Sequence, residues 1–285
     1  MRTFVRGAAT WDVECPRRPG RTAGVTMAGF RIHGPEALRI VPHPAVTLLL
    51  DFGDGRPVID CAAGKQAQQR GSFVAGPGLG DGGATWARGE NIECVQVRLS
   101  PMIAHTILGA SPADLDGAVV PLDDLWGRDV PRIREQLRDA SSWQERFVLT
   151  DALLARRHRP GRPVDPEVAW AWRRIVGTRG TARIDVLAAE VGWSRKRLWS
   201  RFRGQVGLPP KHAAKLVRFD HAAHRLVAGE GAARVAADTG YADQSHLHRD
   251  VMAFTGTTPA TVAGEPFLTV DDIAWPGGAV SGPLP

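Results

Sequence analysis

Two short stretches carry side chains suited to bonding the edges of nucleotide bases. In residues 243–255, Gln244, Ser245, His248 and Arg249 fall on the side of a helical period opposite Leu247, Val251 and Phe254. A glutamine can bond adenine N6 and N7 together, and an arginine guanine O6 and N7, so this face fits base edges. In residues 194–206, Leu198, Phe202 and Val206 line one side. Arg195, Lys196, Trp199, Ser200 and Arg203 fall on the other, with Arg197 beside them. Arg197 and Arg203 suit phosphate, and Trp199 suits a thymine methyl or a sugar. A charge run by itself is more often a solvated helix face. Here its placement favours DNA. Residues 173–218 hold twelve Arg/Lys and two acids, a balance of +10 in a chain whose net charge is +6, so the remainder is −4. Cations focused on one segment are the electrostatic footprint of phosphate contact.

Other chemistries find less support. His33, His43 and His105 invite a metal, but a barrel metal site wants a close histidine pair and an acid on one strand, and the spacing offers neither. No metal and no cofactor are expected. Gly-Lys-Ser/Thr phosphate loops and Gly-x-Ser-x-Gly elbows are missing from the sequence, and residues 78–83 read as a glycine-rich loop. Cys15, Cys61 and Cys94 are widely spaced and odd in number, which fits neither a disulfide framework nor a zinc site. Cys94, in a strand, reads as a buried apolar residue. Trp11, Trp86, Trp126 and Trp143 read as core, with a ligand pocket as the alternative. The chain is expected not to be an enzyme.

The reading faces must be held by helices, and the sequence writes the same helical unit twice. Residues 184–210 and 233–259 each carry a short apolar helix closed by a glycine (Gly192, Gly240), a turn, and a capping residue (Ser194, Asp243). A second helix follows, ended by Gly207 or Gly256 and then proline. Ser194, Leu198, Phe202, Gly207 and Pro210 match Asp243, Leu247, Val251, Gly256 and Pro259 at one constant offset, which predicts tandem helix-turn-helix units. The helix joining them starts at Lys211 and buries Leu216, Phe219, Ala223 and Leu226.

The run G-Y-A-D-Q-S-H-L-H-R, residues 240–249, followed by F-T-G-T-T-P, resembles the signature of the AraC/XylS family of transcriptional regulators. L-x-x-R-F-R-x-x-V-G-L-P-P-K, residues 198–211, is similar to the family's first motif. The resemblance spans residues 164–262. It implies two helix-turn-helix subdomains on a long central helix, with recognition helices 194–206 and 243–255 in successive major-groove segments.

Before the linker, residues 1–100 read as β. Runs at 46–52, 58–61, 72–75 and 92–99 are separated by Gly/Pro turns, and Val95, Val97 and Leu99 alternate with Gln96 and Arg98 as in a half-buried strand. A small antiparallel barrel or sandwich is expected. Helices follow at 102–108, 130–140 and 142–157, the last opened by a Ser142/Glu145 capping box. G-S-F-V-A-G, V-R-L-S-P, L-G-A-S-P-A-D-L and V-P-L-D-D-L-W-G, in that order, resemble the cupin-like domain that often precedes an AraC-type module. This second resemblance implies a β-barrel that senses a ligand or dimerises.

The expected architecture is α+β in two domains: a cupin-like barrel with a helical extension at 1–158, a linker at 159–164, and an all-α DNA-binding domain at 165–263. Asp165 and Pro166 open that domain as cap and first helical residue. Residues 264–285, rich in Gly and Pro, are expected to form a loose tail. The apolar runs fall short of a membrane span and the N-terminus lacks a signal-peptide centre, so a cytoplasmic protein without membrane contact is expected. Double-stranded DNA is the expected partner. RNA polymerase, a small-molecule effector and a second copy of the chain are further candidates. Two alternatives stand beside a ligand-responsive regulator: a DNA-binding protein whose first domain only dimerises, and a cupin-type enzyme fused to a DNA-binding module.

Overall fold

The computed structural model describes residues 1–6, 8–61, 68–79, 85–159 and 163–275. The parts of the 78–83 loop and of the linker at 80–83 and 160–162 lie outside the described residues. Among the described residues nine strands come first: β1 (Arg2–Arg6), β2 (Ala9–Glu14), β3 (Val25–Ile40), β4 (Val46–Asp51), β5 (Val58–Cys61), β6 (Gln69–Arg70), β7 (Phe73–Ala75), β8 (Thr85–Leu99) and β9 (Val119–Pro121). They pair antiparallel in the order β1-β2-β3-β8-β4-β7-β9, with β5 and β6 branching from β8. The long β3–β8 ribbon is the spine, in register from Val25↔Leu99 to Ile32↔Ile92 and again beyond a bulge at residues 33–34.

One face of the sheet is covered by helices. Val46, Leu48 and Leu50 of β4 and Val95, Val97 and Leu99 of β8 pack in one cluster with α1 (Pro101–Leu108), α2 (Leu122–Trp126), α3 (Asp129–Asp139) and α4 (Trp143–Arg157). Ser142 caps α4 through Glu145 N at 3.2 Å. The reciprocal half of the box is shifted by one residue, because Glu145 accepts from Ser141 N at 2.8 Å.

The remaining helices are α5 (Pro166–Gly177), α6 (Ile184–Glu190), α7 (Arg195–Val206), α8 (Pro210–Val227), α9 (Ala232–Asp238), α10 (Gln244–Thr255), α11 (Pro259–Val262) and α12 (Pro266–Ala274). The tandem units are α6–α7 and α9–α10, joined by α8. Among the described residues no helix is long and apolar enough to cross a membrane.

Asp165 and Pro166 open α5 as expected, and the tail beyond residue 264 departs from expectation. Asp165 stands at the cap of α5 without a side-chain capping bond. Its carboxylate is taken instead by Arg201 of α7, at 2.6 and 2.7 Å. Of the loose tail expected over 264–285, residues 266–274 form α12 and Trp275 caps it, with Leu268, Val270, Asp271, Ala274 and Trp275 buried, while residues 276–285 lie outside the described residues. Composition misled there, since Pro266 can open a helix at its first turn and the apolar residues after it find a sheet to cover.

Gly240 follows α9 at φ +79°, and an added Cβ would lie 2.6 Å from Thr181 Cγ2. A β-branched residue is strained there twice, by the left-handed backbone and by that contact. Gly240→Val is expected to destabilise the chain by roughly 1–2 kcal/mol or more. Thermal melting checks this, and a wild-type melting curve would refute it.

Candidate nucleic-acid interface

Each reading helix is set by an apolar seam and one charged clamp. On α7, Leu198, Phe202 and Val206 are buried, and Ser194 accepts from Arg197 N at 3.2 Å. Burying such side chains stabilises by about 1.5–3 kcal/mol each, so this seam fixes the rotation of the helix. The Arg201–Asp165 pair then ties α7 to the start of α5. On α10, Leu247, Val251 and Phe254 are buried, Asp243 accepts from His246 N at 2.6 Å, and Phe254 lies 4.8 Å from the ring of Phe219 on α8. Asp250, 4% exposed, receives Lys215 and Arg218 of α8, each at 3.1 Å. Arg218 also stacks on Tyr241 at 4.4 Å. Burial pushes the Tyr241 hydroxyl up to about 12, so it stays neutral in this packing.

With the seams inward, Arg195, Lys196, Arg197, Trp199, Ser200 and Arg203 of α7 are exposed, and so are Gln244, Ser245, His248 and Arg249 of α10. A single cleft collects part of both sets. Arg195, from the first turn of α7, faces it with His246 and Arg249 of α10 and with Lys211 and Lys215 of α8. The two helices thus flank one cation-lined concavity with α8 between them. Among the described residues the hydrogen bond of the Arg249 side chain is to Ser245 O of its own helix, at 3.4 Å.

Some of the ten residues are partly engaged. Arg197 lies over Trp193 at 4.5 Å, and Trp199, 46% exposed, carries Arg203 over its ring at 5.4 Å. Arg203 leans toward the sheet region, its Nη2 being 3.8 Å from Asp116. At the end of α7, Gly207 presses on the same segment, since a Cβ there would lie 2.6 Å from Pro112 O.

A second polar centre was not legible in the sequence. It lies where α12 meets the sheet and α8. Arg98 of β8, 1% exposed, donates to Asp271 Oδ2 at 3.1 Å, contacts Asp271 Oδ1, and lies 2.7 Å from His43 Nε2. His43 Nδ1 bonds Asp220 of α8 at 2.8 Å, and His224 Nδ1 bonds Asp272 at 2.7 Å. The alternation around Arg98 suggested a solvated face, but α12 covers it. Burial alone would raise Asp271; the Arg98 guanidinium, then His43, hold it well below the usual carboxylate range. Burial would lower His224, yet its bond to Asp271 and the charges of Asp220, Asp271 and Asp272 raise it to about 9. His43, His224 and Asp271 place their ligand atoms within 4.8 Å of one another, close enough to hold a metal ion. The Arg98 guanidinium already stands against two of the three, so the group reads as a buried ion network.

The other candidates sort by face. Trp11 lines an apolar cavity on the sheet face opposite α1–α4, together with Trp275 of α12. Trp126 and Trp143 pack in the helical layer, and Trp86 lies beneath Arg39 at 4.8 Å. Cys94 is buried, which pushes its thiol up and makes it inert.

Residues 187–264 match a family model described as a helix-turn-helix domain. A comparison with curated proteins found no match. Among solved structures the chain is similar to ToxT from Vibrio cholerae O395, with 11% identity and a TM-score of 0.48, over 85% of this chain and 98% of that one. It is also similar to the C-terminal domain of AraT, a response regulator from Geobacillus stearothermophilus: 19% identity, TM-score 0.34, over 36% of this chain and 88% of that one. The AraC-like transcriptional activator CuxR matches at 14% identity and TM-score 0.30, over 68% and 80% of the two chains.

Proposed function

Since the C-terminal region is an AraC/XylS-type helix-turn-helix domain, we propose that the chain regulates transcription by laying α7 and α10 into successive major-groove segments of one duplex, under control of a small molecule held by its sheet region. The observation that carries this reading is the shared cleft: two capped helices turn polar, exposed faces outward on either side of a cation-lined floor. Arg195 and Lys211 supply phosphate contact, which sets affinity without choosing sequence. Gln244 and Arg249 have the donors and acceptors to read adenine and guanine, while Trp199 offers apolar surface to one half-site. The apolar cavity beside Trp11 supports the sensing half of the proposal. We assign the chain no reaction of its own.

Selection of sites from a random duplex library tests the readout. Gln244→Ala and Arg249→Ala are each expected to relax preference at a few adjacent base pairs, at a cost of about 1–3 kcal/mol. Trp199→Ala is expected to weaken one half-site. If Arg249→Ala selected the wild-type motif at uniformly lower affinity, Arg249 would be a positioning residue and its readout role would fall.

A further inference from the structure

The cavity beside Trp11 is specific enough to say what kind of molecule fits it. It measures about 120 Å³ and lies on the face of the sheet that α1–α4 leave open. Its walls are Phe30, Ile32, Leu49, Ile59 and Phe73 from the strands, and α12 contributes Phe267, Val270 and Trp275. An apolar cavity of about 150 Å³ stays dry and accepts a single aromatic ring, so the size here suits one small ring or a short branched chain.

The charged groups on the wall are already committed. Asp271 is held by Arg98, His43 by Asp220, and Arg88 by Asp60 at 3.4 Å. Glu36 accepts from Trp11 Nε1 at 2.9 Å. A charged head group entering the cavity would lose its water and find its counter-ions taken, which is costly. Besides the half-buried Thr47 and Gln96, one fully buried polar side-chain atom on the wall has no partner among the described residues. Trp275 is 7% exposed, and its Nε1–H has no hydrogen-bond partner among the described residues. The indole N–H groups of Trp126 and Trp172 are also buried without an acceptor among the described residues, but of the three only Trp275 stands on the wall of this cavity, where an acceptor on a bound molecule would satisfy it.

We propose that this cavity binds a small uncharged molecule, largely apolar and about one ring in size, whose single acceptor oxygen takes the Trp275 N–H. The proposal rests on the reading above that the sheet region senses a small molecule, and it names the class. α12 is at once a wall of the cavity and the partner of α8 through Asp271, Asp272 and His224. The binding site and the DNA-binding region therefore share one element.

Cyclohexanone and cyclohexanecarboxylate, titrated into the full chain and followed by ligand-observed NMR and tryptophan fluorescence, test this. Cyclohexanone is expected to bind at least tenfold more tightly than the carboxylate. Trp275→Phe is expected to weaken cyclohexanone several-fold while leaving melting close to wild type. Ala75→Phe and Ala87→Phe fill the cavity from two strands, and either one that melts cooperatively is expected to abolish binding. Equal or tighter binding of the carboxylate, no effect of Trp275→Phe, or binding by a filled variant would overturn the proposal. Selection of duplex sites by the same preparation separates the two claims. Sequence-selective binding without cyclohexanone binding sinks the ligand class alone, whereas loss of sequence-selective binding sinks the regulator reading.

Discussion

Arg98→Ala is expected to lower the stability of the folded chain by roughly 3–5 kcal/mol, the range for removing one partner of a buried ion pair. Arg98 is 1% exposed and bonds both oxygens of Asp271. Its guanidinium also lies 3.7 Å from the centre of the Trp275 ring. Alanine would leave the Asp271 carboxylate, 3% exposed, facing two histidines without its main cation. It would also strip Trp275 of the plane it stacks on. The damage falls on α12, because that helix meets β2, β3 and α8 through these residues and a small apolar cluster that includes Val270 and Ala274. Urea unfolding of wild type and variant measures the loss. A double replacement, Arg98→Met with Asp271→Leu, is expected to recover much of it, since replacing a buried pair by apolar groups is often nearly neutral. A single variant within about 1 kcal/mol of wild type would show that the pair does not hold α12.

The helix-turn-helix units were legible because their information is local. Caps at Ser194 and Asp243, the seams of α7 and α10, and the closing glycines at 207 and 256 are each decided within one or two turns of chain. The sheet was legible only in part. Strands at 46–51 and 58–61 were placed within a residue, but β3 extends over Val25–Ile40, a run with Gly29, Gly34 and Pro35 that weaken any strand reading. That ribbon is held by its pairing with β8, whose residues lie 45 to 74 positions further along the chain, which no local pattern reveals. Arg98 was misread for the same reason. Alternation along β8 marks it as a polar residue on the second face, and whether that face meets water depends on α12, 173 residues later. His43 and His224 lie in different regions, so spacing along the chain could not bring them together. The tail failed through composition, because the Gly- and Pro-rich flanks hid the short helical run P-F-L-T-V-D-D-I-A between them.

The His224 cluster carries a pH dependence that can be measured apart from any ligand. Facing His224 are Asp220 on its own helix, Asp271 and Asp272 on α12, and His43 from the segment between β3 and β4, with Arg98 of β8 behind Asp271. Its folded pKa is raised to about 9 against 6.5 for the free side chain, and that of His43 is raised as well. A raised histidine stabilises the fold fully below the unfolded value and loses that contribution as pH climbs through the folded one. Stability is therefore expected to fall between about pH 6.5 and 9, by up to about 3 kcal/mol from His224 at roughly 1.36 kcal/mol per pKa unit. The depressed Asp271 works in the opposite direction at the acid end: its contribution is present above about pH 4 and lost as pH falls toward its folded value. Together these give a plateau between about pH 4 and 6.5 with a shoulder on the alkaline side. Urea midpoints across pH 6 to 9 for wild type and His224→Gln measure it. The variant starts lower, since Asp271 and Asp272 lose a cation, and its curve is expected to be shallower, so that the two converge as pH rises. Curves that stay parallel from pH 6.5 to 9 would mean that His224 is neutral in the fold, and the ion network would then rest on Arg98 and His43 alone.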